Sequence, residues 1–242
     1  MKFYLLASGS KGNCFLIKHK EETIVIDCGS TKRYLLSSFQ QILVDYQSVD
    51  GVLLTHEHSD HISQLKLFKD RKIFAPFELA EYEIEHIHPY TSIQFKSFRI
   101  TPIPLSHDCS IAVGYIIEVE NEKLVYVTDT GYFKESDYTL IRDATYYIFE
   151  SNHDPELLMK TKRPYLTKQR ILSMTGHLSN DDCADILNSV VTVNTKEIVL
   201  AHLSEEANTI ELAEQVVAKR LEDRRVRVRA AKQFEVLEGG NE

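Results

Sequence analysis

The sequence is poor in the residues that break a chain into loosely joined parts. Proline (6) and glycine (9) are sparse among 242 residues, so nothing reads as a long flexible linker. No internal repeat and no low-complexity tract is visible. The four cysteines, Cys14, Cys28, Cys109 and Cys183, are scattered, with none of the close spacings of a zinc knuckle or a redox motif. They are expected to be reduced thiols in a cytoplasmic protein. No window approaches the ~18 apolar residues of a membrane span. The opening "MKFYLLASGSKGN" has too short an apolar run for a signal peptide. An excess of positive charge is missing too. The net charge of −8 argues against a general nucleic-acid coating protein, but leaves room for an enzyme with one local basic groove.

Hydrophobic residues make up 43% of the chain, enough for a sizeable core, and a single domain over residues 1–242 is expected. Short apolar runs such as "KFYLLAS", "CFLIKH" and "TIVIDCG" read as strands. "STKRYLLSSFQQILV" has helical spacing behind a capping Ser30. "GVLLT" reads as a buried strand, with a helix from about His61 into "QLKLFKD". "KIFAP", "SIQFKS", "FRITPIPL", "AVGYIIEVE", "KLVYVTD" and "ATYYIFES" read as strands. "DPELLMK", "PYLTKQRILSM" and "SNDDCADILNSVV" read as helices. The strand "KEIVLAH", the helix "TIELAEQVVAKRLED" and a last strand "RVRVRA" complete the pattern. The two halves look alike, which predicts an α/β fold of two mixed sheets packed face to face with helices outside, a four-layer αββα sandwich.

The stretch "VLLTHEHSDHISQ" crowds His56, Glu57, His58, Asp60 and His61 behind the end of a buried strand. In an extended chain, residues two apart project to one side, so His56 and His58 point together. Asp60 and His61 follow where a turn swings them back. Such a set suits Zn²⁺, Mn²⁺ or Fe²⁺, and two neighbouring ions better than one. Uncoordinated, these polar groups would be half buried at a cost. The same grammar, a buried run breaking into a ligand, recurs at His107 in "PIPLSHDCS", Asp129 in "LVYVTDTGY" and His202 in "EIVLAHLSEE". Carboxyl ends of strands are where ligands gather in α/β folds.

His56-x-His58-x-Asp60-His61, then His107, Asp129 and His202 in that order, resemble the motif series of the metallo-β-lactamase superfamily. The likeness extends to "SGSKGN" and "IVIDCG" and spans nearly the whole chain. It implies that His56, His58 and His107 bind one metal, that Asp60, His61 and His202 bind the other, and that Asp129 bridges them. A hydroxide between two ions about 3.5–4 Å apart would be the nucleophile. His58 stands where the flavin-linked di-iron branch has Glu, which favours hydrolysis.

Further stretches narrow the class. "VTDTG" resembles phosphodiesterase members. "IFESNHD" and "GHLSNDDCADIL" resemble segments of tRNA 3′-processing endonucleases, in which a histidine protonates the leaving oxygen. His177 occupies that place, and Glu150 matches the carboxylate that orients it. The resemblance thus implies Asp60, His177 and Glu150 as catalytic residues. A phosphodiester needs an acid because its alkoxide leaves poorly. The alternative for His177 is a helix-entry residue beside a cap at Ser179 or Asn180. Between His107 and Asp129 there is no room for a tRNA-clamping arm, and between Asp129 and His202 none for a β-CASP insert. The wording as a whole resembles the YycJ/WalJ-type proteins of bacteria, which implies a metal-dependent 5′→3′ exonuclease on double-stranded DNA with two divalent ions, Zn or Mn, with Fe possible. A ribonuclease or a small-molecule hydrolase (lactonase, thioesterase or cyclic phosphodiesterase) is the alternative.

Ser8, Ser10 and Asn13 lie in a small-residue loop that either cradles a phosphate or is a plain tight turn. "KTKRPYLTKQR", with Lys160, Lys162, Arg163, Lys168 and Arg170, is either a substrate groove or a solvated helix face, and Lys162, Arg163 and Arg170 are its candidate phosphate contacts. "RRVRVR" (Arg224, Arg225, Arg227, Arg229) is read as a solvated edge strand. "HIHPY" (His86, His88) reads as a surface loop, His19 as solvent-facing, and His153 as a candidate for the cleft mouth.

Overall fold

The structure is a computed structural model that describes residues 1–221 and 225–241. Arg224 of the second basic run lies outside the described residues. In chain order, β1 (Lys2–Ala7), β2 (Cys14–His19) and β3 (Glu22–Ile26) precede α1 (Lys32–Gln41), and β4 (Gly51–Leu53) leads into α2 (Ser59–Ile62). Next come β5 (Lys72–Ala75), β6 (Ile84–His86), β7 (Ile93–Phe95), β8 (Phe98–Leu105), β9 (Ala112–Val119) and β10 (Glu122–Val127). Then follow α3 (Tyr138–Ile141), β11 (Tyr146–Glu150), α4 (Pro155–Lys160), α5 (Tyr165–Ile171) and α6 (Asn180–Val190). The described chain closes with β12 (Glu197–Ala201), α7 (Ile210–Leu221), β13 (Arg227–Ala230) and β14 (Leu237–Gly240).

The strands form two sheets, ordered β14-β1-β2-β3-β4-β5-β6 and β13-β12-β11-β10-β9-β8-β7. Most strands are apolar on both faces because both faces are covered. In β1, Phe3 and Leu5 point between the sheets, where they meet Phe15, Ile17, Tyr115 and Tyr146. Tyr4 and Leu6 point the other way, into a layer shared with Leu35 and Phe39 of α1. The second sheet does the same: Tyr126 and Ile148 face the inter-sheet core, while Val125, Val127 and Phe149 pack on Cys183, Leu187 and Val217 of α6 and α7. Helices thus cover the outer face of each sheet, giving the expected αββα order. Burying each large side chain contributes about 1.5–3 kcal/mol.

Strand directions place the ligand-bearing ends together. β3 and β4 are parallel, and so are β10, β11 and β12. β8 is antiparallel to β9, which is antiparallel to β10, so β8 also runs with that group. The carboxyl ends of β3 and β4 in one sheet, and of β8, β10, β11 and β12 in the other, therefore open on one edge. The sheets are tied there by Val113 N–H to Thr55 O (3.0 Å) and His202 N–H to Ser8 Oγ (2.8 Å).

Several elements differ from expectation. The cap of α1 is Thr31, whose side chain accepts from Tyr34 N–H, not Ser30. The helix expected from His61 is one turn, Ser59–Ile62, followed by a 3₁₀ turn at Leu65–Phe68. "HIHPY" is not wholly loop: His86 ends β6, an edge strand parallel to β5, and its ring contacts Glu78. The last described strand is β14, which pairs with β1. His19 is largely covered and lies 3.3 Å from Glu120. No helix among the described residues is long and apolar enough to cross a membrane.

Candidate metal centre

His56 and His61 are held from behind. Past β3 the chain breaks at Asp27, a fully buried residue in the left-handed region (φ 58°). Its carboxylate accepts from Thr55 N–H (2.9 Å) and Thr55 Oγ1 (2.8 Å), and its Oδ2 lies 2.8 Å from His61 Nδ1. Thr55 Oγ1 also reaches His56 Nδ1 (3.0 Å). With both Nδ1 atoms engaged from behind, the Nε2 atoms are left to face the cleft, that of His61 with Asn13 Nδ2 at 2.9 Å. His56 Nε2 then lies 3.1 Å from His58 Nδ1. Cys28 N–H donates to His61 O (2.7 Å), lacing the Asp27 turn to α2. A side chain at Gly29 would collide with the Asp60 carbonyl, 1.5 Å from an ideal Cβ, so only glycine admits this approach.

The second sheet supplies the facing wall. Asp129 follows β10 and His202 follows β12, again both left-handed (φ 60° and 55°). Such conformations are uncommon outside glycine and cluster at functional positions. Asp129 stands between the two walls: Oδ2 is 3.3 Å from His61 Nε2, while Oδ1 is 3.4 Å from His202 Nδ1 and 3.9 Å from His107 Nε2. Glu150, the last residue of β11, is completely buried. Its Oε1 is 2.7 Å from His177 Nδ1 and 2.9 Å from His202 Nδ1, and its Oε2 accepts Thr130 N–H (2.8 Å). His177 is reached through the turn after α5, where its N–H donates to Ile171 O (3.0 Å).

Three groups of possible ligand atoms converge, each within 4.8 Å: His56, His58 and His107; His56, His61 and Asp129; and Asp129, Glu150, His177 and His202. Asp60 stands in none of these groups, although its Oδ2 is 3.7 Å from His61 Nε2. Electrostatics polarises the cluster. Burial would raise the Asp129 carboxyl, but His202 and His61 outweigh it and hold it well below the usual carboxylate range. Burial works against a charged His202, yet Asp129 and Glu150 push it up to about 9. Burial and the neighbouring His61 drive His56 far down. Divalent ions fit this site. Asp129 Oδ2 and His202 Nε2 are buried without a hydrogen-bond partner, and unpaired buried polar atoms are costly. An imidazole-rich set with one shared carboxylate suits borderline divalent cations.

The other expected residues are distributed differently. Ser8 and Asn13 are buried and engaged: Ser8 Oγ accepts His202 N–H, Asn13 Oδ1 accepts Gly9 N–H (2.9 Å), and Asn13 Nδ2 is 2.9 Å from His61 Nε2. Their loop braces the ligands instead of presenting those two side chains to a phosphate. Only Ser10 is exposed. Arg170 does border the cleft, pairing at 2.5 Å with Asp108 beside His107. Arg163 pairs with Glu206 (3.2 Å), four residues past His202. Lys162 is exposed, with no acid partner among the described residues. Lys168 is turned inward, donating to the Met159 and Thr161 carbonyls. Arg227 and Arg229 belong to the opposite edge, where both approach Glu197 at the start of β12. His153 is not at the cleft mouth: it is 1% exposed, and both ring nitrogens lack a partner. Ser179 caps α6, accepting Asp182 N–H (3.1 Å), while His177 lies two residues earlier. The Asp27–Thr55 brace carries no assignment from sequence, although "IVIDCG" shows the same strand-end grammar as the ligands.

Comparison with known proteins agrees with this architecture. The family model described as the beta-lactamase superfamily domain matches residues 22–203. The chain is 34% identical over 244 residues to exodeoxyribonuclease YycJ of Bacillus anthracis, covering 93% of this chain and 90% of the relative. It is 32% identical over 236 residues to exodeoxyribonuclease WalJ of Streptococcus pneumoniae, covering 91% and 88%. Among solved structures, the metallo-β-lactamase fold protein YhfI of Bacillus subtilis superposes with a TM-score of 0.77 at 18% identity, covering 98% of this chain and 99% of that one. The human short-form tRNase Z superposes with a TM-score of 0.67 at 15% identity, covering 98% of each. Fold, strand-end ligand grammar and near-full-length likeness lead to one assignment: this chain belongs to the β-lactamase superfamily and is a metal-dependent hydrolase of the metallo-β-lactamase fold.

Proposed function

We propose that this hydrolase is a two-metal phosphodiesterase that acts as a 5′→3′ exonuclease on double-stranded DNA. The observation that carries the phosphodiesterase part is the pairing of His177 with Glu150 beside Asp129, at 2.7 Å. Glu150 holds Nδ1, so Nε2 is the ring atom able to meet a substrate. Thr130 N–H fixes the far oxygen of Glu150, so the carboxylate cannot swing away with the ring. His177 protonated at Nε2 delivers that proton to the departing alkoxide oxygen, and Glu150 stabilises the imidazolium before the transfer.

His56, His58 and His107 would hold one ion, His61, His202 and Asp60 the other, and Asp129 would serve both. When bound, the ions supply Lewis acidity and an activated water. Asp27 and Thr55 keep the two imidazoles of the first wall in register. The choice of a polyanionic substrate over a small neutral one is supported by Arg170 and Arg163, which flank the cleft in an otherwise acidic protein. The choice of DNA and of exonucleolytic cleavage is supported by the names of the relatives.

The test is a panel of end-labelled single- and double-stranded DNA and RNA, each with Mn²⁺ and with Zn²⁺. The expected result is mononucleotide release from the 5′ end of duplex DNA. Equal or faster cleavage of RNA, or internal cuts in a closed circle, would replace this reading by a ribonuclease or an endonuclease.

A further inference from the structure

From Leu157 to Asn180 the chain contains no acid, and it carries Lys160, Lys162, Arg163, Lys168 and Arg170. This segment is α4, α5 and the turn that ends in His177. Five of the eleven large apolar side chains that stand exposed among the described residues fall within it: Met159, Tyr165, Leu166, Leu172 and Met174. Tyr165 and Leu166 open α5 directly behind Pro164 and are 64% and 77% exposed. Surface apolar residues scattered singly need no explanation, but five on one short segment whose Arg170 reaches Asp108 beside His107 do.

The segment is not loose. Leu158 of α4 and Ile171 of α5 pack together on Ala207. Lys168 Nζ locks the turn between the helices through the Met159 and Thr161 carbonyls, at 2.7 and 2.8 Å. Arg163 is pinned to Glu206, and Arg170 to Asp108. An anchored arm that holds an aromatic ring in solvent, with cations around it, is preorganised for a flat polyanionic ligand.

We propose that this arm grips the nucleic-acid strand: Tyr165, backed by Leu166, stacks on a base, while Lys162, Arg163 and Arg170 take the adjoining phosphates. The occupant rests on charge complementarity and on chain continuity, since the acid-free run leads without interruption into His177. A distance follows as well. Tyr165 lies five residues from Arg170, about 7.5 Å along the helix axis. A strand rises about 3.4 Å per nucleotide, so a strand laid along α5 would bring the ring against the base about two steps from the phosphate at the cleft rim, a base that the arm takes out of the duplex stack. The arm therefore reads length: a dinucleotide is too short to reach Tyr165, and a longer strand is not.

This proposal rests on the nuclease reading, and the experiment separates the two. Wild type, Tyr165→Ala and Tyr165→Phe are compared on bis(nitrophenyl) phosphate, on a dinucleotide and on long duplex DNA. The bis(nitrophenyl) ester has no base to stack and reports the metal centre alone. On duplex DNA, Tyr165→Ala should raise KM about 5- to 100-fold, the usual range for losing one base–aromatic stack. Tyr165→Phe, which keeps the ring, should stay within about twofold of wild type on duplex. The loss should vanish on the dinucleotide. Duplex KM unaltered in Tyr165→Ala, or a loss just as large on the dinucleotide, overturns the arm while leaving the nuclease reading intact. Hydrolysis of bis(nitrophenyl) phosphate with no attack on any nucleic acid by wild type overturns both. Sedimentation with anionic vesicles that Tyr165→Ala abolishes, together with unaltered duplex KM, would make the arm a membrane-facing surface and refute the grip.

Discussion

The two edges of the sheets are both rich in charge, and they use it in opposite ways. At the edge where β12 begins, charges are closed on one another: Glu197 takes Arg229 (2.7 Å from Nε) and the Gly240 N–H (3.2 Å), and Glu122 takes the chain's N-terminal amine, Tyr146 and Lys196. At the edge where β10 and β12 end, buried atoms stay open, with Asp129 Oδ2 and His202 Nε2 lacking a hydrogen-bond partner. Left-handed acids occur at the first edge too, at Glu120 and Asp143, but there they are exposed. The second bends the backbone at Asp27, Asp129 and His202 to aim them inward. Local satisfaction stabilises a fold, whereas a set of aimed but unsatisfied donors binds something from outside.

That contrast can be broken most severely at Asp129. Asp129→Ala should lower both metal content and activity, the latter by ~10³-fold or more, because it removes the one carboxylate shared by both walls. Metal analysis by plasma mass spectrometry checks it, and two full equivalents retained would contradict the shared role. A middle-sized effect separates the two basic runs. Neutralising Lys162, Arg163 and Arg170 to Gln should weaken duplex binding and flatten its dependence on salt, by a log–log slope of about 0.9 for each phosphate that is no longer neutralised. Neutralising Arg227 and Arg229 should leave that slope as it is. Equal slopes in both triple and double variants would dissolve the distinction. The smallest effect belongs to the closed edge. Glu197→Ala leaves Arg229 without its carboxylate partner and should cost about 1–3 kcal/mol of stability. The check is thermal melting beside kcat, with Tm lowered by several degrees and kcat of the folded enzyme retained.

How much of this was legible in the sequence is best seen in two pairs of histidines. His56/His58 and His86/His88 share one spacing. What separates them is Val52–Leu54, a buried run that stops before the first pair, and the residues Asp60 and His61 that follow it. Strand-end ligands were readable because burial imposes a continuous apolar run and the ligand breaks it. Glu150 and His177 were readable only through likeness to other sequences, since their pairing spans 27 positions. Asp27 escaped assignment because a brace behind the ligands carries no spacing of its own. Ser8 and Asn13 pointed to phosphate binding by composition, whereas tertiary contacts with His202 and His61 give them partners inside the protein. β14 was missed because "LEGG" has little strand propensity, and only the free edge of β1 makes it a strand. In the basic segment, sequence showed five cations but not that Lys168 faces inward to close a turn.

We propose above all that His177, oriented by Glu150, protonates the leaving oxygen. The direct measurement is His177→Ala assayed on two phosphodiesters, one losing an alkoxide and one losing a nitrophenolate, with metal content determined in parallel. Metal content should be retained, and the chemical step should fall about 10²–10⁴-fold for the alkoxide ester. The nitrophenyl ester should lose far less, because nitrophenolate departs without a proton. Equal losses on the two esters with metals intact would contradict it, and would leave His177 as no more than the residue that leads the chain into α6.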